Sequence, residues 1–343
     1  MDIESLEKNI DIGMMKEQIF SMPNQIEQSF SIISKYSFNS FDMNYSNILI
    51  CGMGGSAISG DFVKSILSNS ISIPIVVNRS YYLPSFVSKK TLVIISSYSG
   101  NTEETISCFN SSLEVGCDII CISSGGYIQK VCNDNEILCI KIPKGYQPRA
   151  AIGYSLSLLL LSFNKIKLCP DSIIDNLKQT ISTLREFIIH IDEYAPSMID
   201  YAKTLKASFP IIYGSDSFGS AIAFRFRCQL AENSKILSSC FEFPEQNHNE
   251  IEGFVKSMDQ DITIIWILND IDHPQVKKRM NIVSDILNTK VKNQIKLSFN
   301  YSGRIESVFS AILYTDIISY YLAIISGIDP TPVDIIATLK KKM

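Results

Sequence analysis

Two segments of this chain run an unbroken apolar strand into a glycine-bearing turn and then into a helical pattern. That order limits what the chain can fold into. The first is NILICGMGGSAISGDFVKSIL (47–67) and the second FPIIYGSDSFGSAIAFRFRCQLAENSK (209–235). IPIVVN and TLVIISS follow the first at distances suited to strand–helix–strand units, and ITIIWILND follows the second. Strands that are apolar throughout, alternating with helical patterns, indicate parallel sheets covered on both faces. The expectation is an α/β chain of two similar domains, each a parallel sheet sandwiched by helices in three layers. An N-terminal arm and the first domain occupy 1–153, a helical connection 154–206, and the second domain with C-terminal helices 207–343.

The 343 residues suffice for two domains, and 46% hydrophobic, 19% charged and a net charge of -4 describe a globular protein. No broad basic surface is available for nucleic acid or an anionic membrane. The opening MDIESLEKNI has neither a basic n-region nor an apolar h-region, so a cytoplasmic protein is expected. The nine cysteines are odd in number and form no CxxC or Cys/His set at zinc spacing. Cys117 and Cys121 are four apart, with Cys121 inside the strand-like DIICISS, and reduced thiols are expected. VFSAILYTDIISYYLAIISGI (308–328) nearly reaches bilayer length. Its Asp316, its hydroxyl residues and the DPTP stop after it mark a buried core helix instead.

CGMGGSAISG follows a strand and opens a helix, and Gly52, Gly54 and Ala57 satisfy G-x-G-x-x-A. A dinucleotide site would need an acid about 20 residues on. The second strand ends in Asn78 and Arg79 instead, which leaves only an NADP variant open. The third strand runs into IISSYSGNTEET (94–105), a cluster of small hydroxyls with no positive charge. In a doubly wound sheet both loops face the crevice beyond the carboxyl ends of the strands. Small hydroxyls and free N–H groups at helix N-termini bind a phosphate dianion without a salt bridge. Gly55, Ser56, Ser97, Ser99 and Thr102 are the candidate cradle, with Gly100 allowing the turn and Thr102 capping the following helix. Either loop alone also reads as a plain capped turn; two in register favour a phosphate site.

In the second half, Glu232 closes an otherwise apolar helix in QLAENSK, and His248 lies in FEFPEQNHNEIEGF. By composition alone they read as a helix-end acid and a loop histidine. His190 and His273 are the only other histidines.

GGSAISGD together with SYSGNTEET resembles the sugar isomerase (SIS) fold. With GYQPRAAIG, ENSK, the PE-x-NHNEIEG block and DPTPV with a terminal lysine, the chain resembles the bifunctional phosphoglucose/phosphomannose isomerase family over essentially its whole length. The resemblance implies two SIS-type domains and interconversion of glucose 6-phosphate, and mannose 6-phosphate, with fructose 6-phosphate through a cis-enediol. It implies Glu232 as the base between C1 and C2, His248 as the ring-opening acid/base, and Arg149 as the cation beside the enediolate. Lys340 matches a lysine that reaches the family's site, while a solvated basic tail of three lysines remains the alternative. The family also implies a homodimer whose neighbouring subunit donates the histidine, and a threonine shaping the pocket, either Thr331 or Thr338. No cofactor and no metal are expected, since three scattered histidines make a zinc cluster hard to build. A non-catalytic sugar-phosphate sensor is the competing function.

Overall fold

The computed structural model describes residues 3–41, 44–256 and 261–343, so residues 1 and 2 of the N-terminal arm lie outside the described residues. The chain divides into two compact units, Ser21–Ser182 and Met1–Phe20 with Thr183–Met343. The two units are described separately.

Helices α1 (Ile3–Ile10) and α2 (Met15–Phe20) belong to the C-terminal unit, although sequence order put them with the first domain. They pack against the long apolar helix α12 (Arg304–Ile325). Met15 and Ile19 are buried there.

The Ser21–Ser182 unit opens with α3 (Met22–Ile33) and builds its sheet from β1 (Asn47–Cys51), β2 (Ile75–Asn78), β3 (Thr91–Ser97), β4 (Asp118–Ser123) and β5 (Leu138–Lys141). The strand order is β2-β1-β3-β4-β5 and every pairing is parallel. The crossovers are α4 (Gly54–Leu67), α5 (Glu103–Val115) and α6 (Gly126–Asp134). Alternation along the strands divides the core between two faces. Leu49, Cys51, Val93 and Ile95 meet Cys108 and Phe109 of α5 and Ile128 and Cys132 of α6. On the other face Gly60 of α4 lets the helix approach Ile50 and Val77. α7 (Ile152–Lys165), which carries the run SLLLLSF, is buried along nearly its whole length and packs on α3 and α4.

α8 (Ser172–Ile189) crosses the division between the units, and α9 (Ile191–Lys206) packs on α12. The helices read from sequence as one connection are thus shared out between the units. The C-terminal unit's sheet contains β6 (Phe209–Ser215), β7 (Ser239–Phe243), β8 (Ile262–Leu268) and β9 (Asn293–Ser298). Their order is β7-β6-β8-β9, again all parallel. α10 (Gly219–Glu232) and α11 (Pro274–Leu287) are the crossovers, and α13 (Asp334–Lys342) ends the chain. β6 stands between β7 and β8 as β1 stands between β2 and β3, so the two units repeat one plan.

α12 is long and apolar enough to cross a membrane, yet 89% of its most apolar window is buried inside the protein. Asp316, at its middle, accepts a hydrogen bond from Arg225 of α10 at 2.5 Å, with both side chains buried. All nine cysteines carry free thiols, five of them buried.

Candidate active site

The turn after β1 is set by three glycines. A Cβ on Gly52 would come within 2.8 Å of the Ser96 carbonyl, so the turn lies directly on the end of β3. Gly54 takes φ +50°, the left-handed region that favours glycine. Gly55 packs its backbone on Pro148 and Arg149. α4 then starts from Met53 without a side-chain cap, so its first-turn N–H groups keep no side-chain acceptor. Gly55 and Ser56 in that turn are half-buried.

The loop after β3 folds on its own hydroxyls. Ser97 is buried, and its Oγ lies 3.1 Å from Thr102 Oγ1 and accepts the Gly100 N–H. Ser99 Oγ accepts the Asn101 N–H and is exposed. Thr102 occupies the N-cap position of α5, but its side chain makes no capping hydrogen bond. The capping expected of it is replaced by the contact with Ser97, which leaves the first-turn amides of α5 without a side-chain cap as well.

This loop is clamped from the next one along the sheet. Gly100 has φ +68°, and a Cβ there would fall 1.8 Å from the Gly125 carbonyl. Asn101 Oδ1 accepts the Tyr127 N–H at 2.9 Å, and the Gly100 carbonyl accepts the Ile128 N–H. Tyr98 Oη donates to the Pro143 carbonyl and accepts the Tyr146 N–H, each at 3.0 Å. Asn101 and Tyr98 are therefore positioning residues that sequence reasoning missed; the SSGG at 123–126 was the only local signal. Tyr98 also fixes the approach to the 3-10 turn Pro148–Ala150, where Arg149 is 3% exposed. Gln25 donates to the Ala150 carbonyl from α3 and closes that turn. Within one unit the fold thus brings Gly55, Ser56, the hydroxyl loop and Arg149 to the carboxyl edge of one sheet.

The dinucleotide alternative finds its expected acid position otherwise engaged. The Asn78 amide donates to the Tyr82 carbonyl at 3.0 Å and reaches the Cys108 sulfur at 3.2 Å, while Arg79 pairs with Asp61.

In the C-terminal unit ENSK is divided between anchoring and exposure. Asn233 donates to Ser319 Oγ and Ser234 to the Ser319 carbonyl, both fully buried against α12. Glu232, one residue earlier, ends α10 half-buried. Lys235 then turns the chain at φ +59°. Its ammonium donates to the carbonyls of Glu232 and Pro332, which ties the DPTP segment to the helix end. Thr331 in that segment packs against Gly13 of the N-terminal arm. Thr338 is exposed on α13. Lys235 thus links the residue after Thr331, and not α13 with Thr338, to the end of the helix that carries Glu232.

His248 ends the 3-10 turn Glu245–His248 with an exposed side chain. Residues on either side of it are anchored to one atom: Glu250 accepts from Tyr213 Oη at 3.1 Å, and Gln246 Nε2 lies 3.4 Å from the same oxygen. Burial pushes the Glu250 carboxyl up to about 7, against the opposing hydrogen bond from Tyr213. His190 pairs with Glu193, and His273 caps α11. Lys340 is exposed on α13 with Lys341 and Lys342. Among the described residues no three His, Cys, Asp or Glu side chains cluster as metal ligands would.

The three-layer parallel plan recurs in solved structures. The C-terminal domain of glucosamine-fructose-6-phosphate aminotransferase from Francisella tularensis superposes with a TM-score of 0.71 at 17% identity, covering 93% of this chain and 98% of that one. Residues 198–343 match the family described as the bacterial phospho-glucose isomerase C-terminal SIS domain. The fold and that match define a phosphosugar-isomerase-like α/β protein. A bifunctional phosphoglucose/phosphomannose isomerase of Caldicellulosiruptor bescii is 36% identical, over 96% of this chain and 98% of its own length. Its counterpart in Thermoplasma acidophilum is 32% identical over 87% and 90%. The chain belongs to the bifunctional phosphoglucose/phosphomannose isomerase family.

Proposed function

We propose that this protein interconverts glucose 6-phosphate, and mannose 6-phosphate, with fructose 6-phosphate by proton transfer through a cis-enediol. Family membership over nearly the whole chain is the observation that carries this reading. In it the Gly55–Ser56 turn and the Ser97–Thr102 loop take the 6-phosphate, with Ser99, Thr102 and uncapped backbone N–H groups as the reachable donors. Ser97 acts by holding the loop in shape.

Glu232 removes the C2 proton of the open-chain aldose and returns it to C1, while the C1 carbonyl oxygen gains a proton and the C2 hydroxyl loses one. His248 serves ring opening by protonating the ring oxygen, and Arg149 stabilises negative charge on the enediolate oxygens. Because the enediol carries no C2 stereocentre, both epimers are reachable if the C2–C3 bond can turn; a short side chain at Thr331 leaves room for that. Lys340 is assigned to the same substrate with the support of resemblance alone.

Each compact unit is read as one SIS-type domain. The chain is further proposed to act as a cytoplasmic homodimer with a shared active site. Ile335, Ile336 and Leu339 lie exposed on α13, and Phe241 and Val255 are exposed in the C-terminal unit. Apolar side chains of this kind suit a contact between copies. The nine free thiols suit a reducing compartment.

Chelator-treated protein supplied with glucose 6-phosphate or mannose 6-phosphate should form fructose 6-phosphate from both. Tight fructose 6-phosphate binding without turnover would instead leave a sensor. Glu232→Gln should bind fructose 6-phosphate normally and turn it over about 10²- to 10⁴-fold more slowly, the range expected for loss of a general base.

A further inference from the structure

The two sheets share one strand plan, so each has a crevice between the loops that follow its first strand and the neighbouring third strand in chain order. In the first unit these are the loops after β1 and β3. In the C-terminal unit they are the loops after β6 and β8, and side chains of the unit itself close that crevice.

Asp272, four residues past β8, is 2% exposed. Its Oδ1 accepts both the Ser215 hydroxyl at the end of β6, at 2.5 Å, and the Ser217 hydroxyl of the following loop, at 2.9 Å. Ser215 Oγ in turn accepts the N–H groups of Phe218 and Gly219 at the start of α10. Among the described residues, Asp272 Oδ2 is buried with no hydrogen-bond partner. Arg304, at the start of α12, adds a favourable charge. Burial pushes the Asp272 pKa up, offset in part by the Ser215 and Ser217 hydroxyls, the Asn269 backbone and the Arg304 charge. At the helix start that corresponds to Thr102, His273 turns its ring to the Gln275 N–H. Hydroxyls, helix-start amides and an arginine around a buried carboxylate are the donor set an external phosphate would meet.

We infer that Asp272 is a built-in anion occupying the second crevice in the place a phosphate takes in the first, so that each chain holds one sugar phosphate rather than two. The inference rests on the cradle reading of the first unit. The carboxylate satisfies donors that would otherwise recruit phosphate to that crevice. Removing it should therefore create a site rather than destroy one.

Titration calorimetry with inorganic phosphate tests this on the full-length protein. Wild type is expected to bind one phosphate per chain, and Asp272→Ala one more than wild type. Asp272→Asn, which keeps an oxygen for Ser215 and Ser217 and fills the same space, should match wild type. A wild type that binds two phosphates, or a folded Asp272→Ala that binds no more than wild type, overturns the inference. A wild type that binds none would count against the cradle in the first unit, and the difference between Asp272→Ala and wild type would still decide the role of Asp272. If Asp272→Ala folds poorly, its Tm should rise with phosphate more steeply than that of Asp272→Asn. Parallel responses would sink the proposal.

Discussion

The hydroxyl of Tyr213, fully buried on β6, donates to the Glu250 carboxylate two residues beyond His248. With Gln246 reaching the same oxygen from two residues before, one phenol pins the turn on both sides of the histidine. Burial raises Glu250 from an ordinary 4.5 to about 7, so between those values the folded protein holds a proton that the unfolded chain has released. Stability from this group is therefore complete below about pH 4.5 and is lost as pH rises through about 7. The Tm of wild type should fall relative to Glu250→Gln between pH 5 and 8. A pH-independent difference would show that the carboxyl is not buried in this way.

Tyr213→Phe removes the anchor but keeps the ring, which packs edge-on to Phe243. A lost hydrogen bond of this kind costs about 1 kcal/mol. Turnover should fall several-fold with little change in KM, since the phosphate loops are not touched. Equal losses in binding and turnover would mean that the substitution disturbs more than the His248 turn.

Arg225 and Asp316 make a hydrogen-bonded ion pair with both side chains buried between α10 and α12. Asp316→Ala leaves a buried guanidinium without its carboxylate, and the expected cost is about 3–5 kcal/mol. Urea denaturation should show a much smaller loss for Arg225→Met combined with Asp316→Leu. If the double variant is no better than the single one, charge burial is not the source of the cost.

Thr102→Val keeps the shape of one of the loop's two reachable hydroxyl residues and deletes its oxygen. If Thr102 donates to the 6-phosphate as proposed, its loss should raise KM for fructose 6-phosphate about tenfold, a change of about 1.4 kcal/mol, with kcat nearly unchanged. Gly100→Ala should be far worse, because its Cβ would fall on the Gly125 carbonyl. Similar KM values for the two variants would contradict the clamp between these loops.

Much of this arrangement was legible in the chain because it is written locally. Apolar runs marked the strands, and Gly52, Gly54 and Gly100 marked places where backbone must come close or turn left-handed. What the sequence hid are contacts between residues far apart along it. Tyr98 holding Tyr146, Gln25 closing the Ala150 turn and Asp272 reaching Ser215 have no periodic or compositional signature. Thr102 shows the limit of a local rule: it stands where a cap belongs, yet its hydroxyl meets Ser97 instead of the helix amides. The N-terminal arm was hidden for the same reason, since its burial depends on α12, some 300 residues later.

The contact between that arm and Thr331 gives a test of what sets epimer choice. Gly13 lies so close to Thr331 that a Cβ would come within 2.2 Å of its hydroxyl, and Lys235 links the neighbouring Pro332 to the Glu232 carbonyl. Gly13→Ala should therefore push Thr331 and its segment without adding a group to the pocket. Thr331→Leu should add bulk directly. If free space at Thr331 lets the C2–C3 bond turn, both variants should lower kcat/KM for mannose 6-phosphate more than for glucose 6-phosphate, with Thr331→Leu the stronger. Thr338→Leu, on the exposed face of α13, should leave the ratio unchanged. A ratio shifted by Thr338→Leu and untouched by Thr331→Leu would transfer the role to Thr338 and remove the arm from the mechanism.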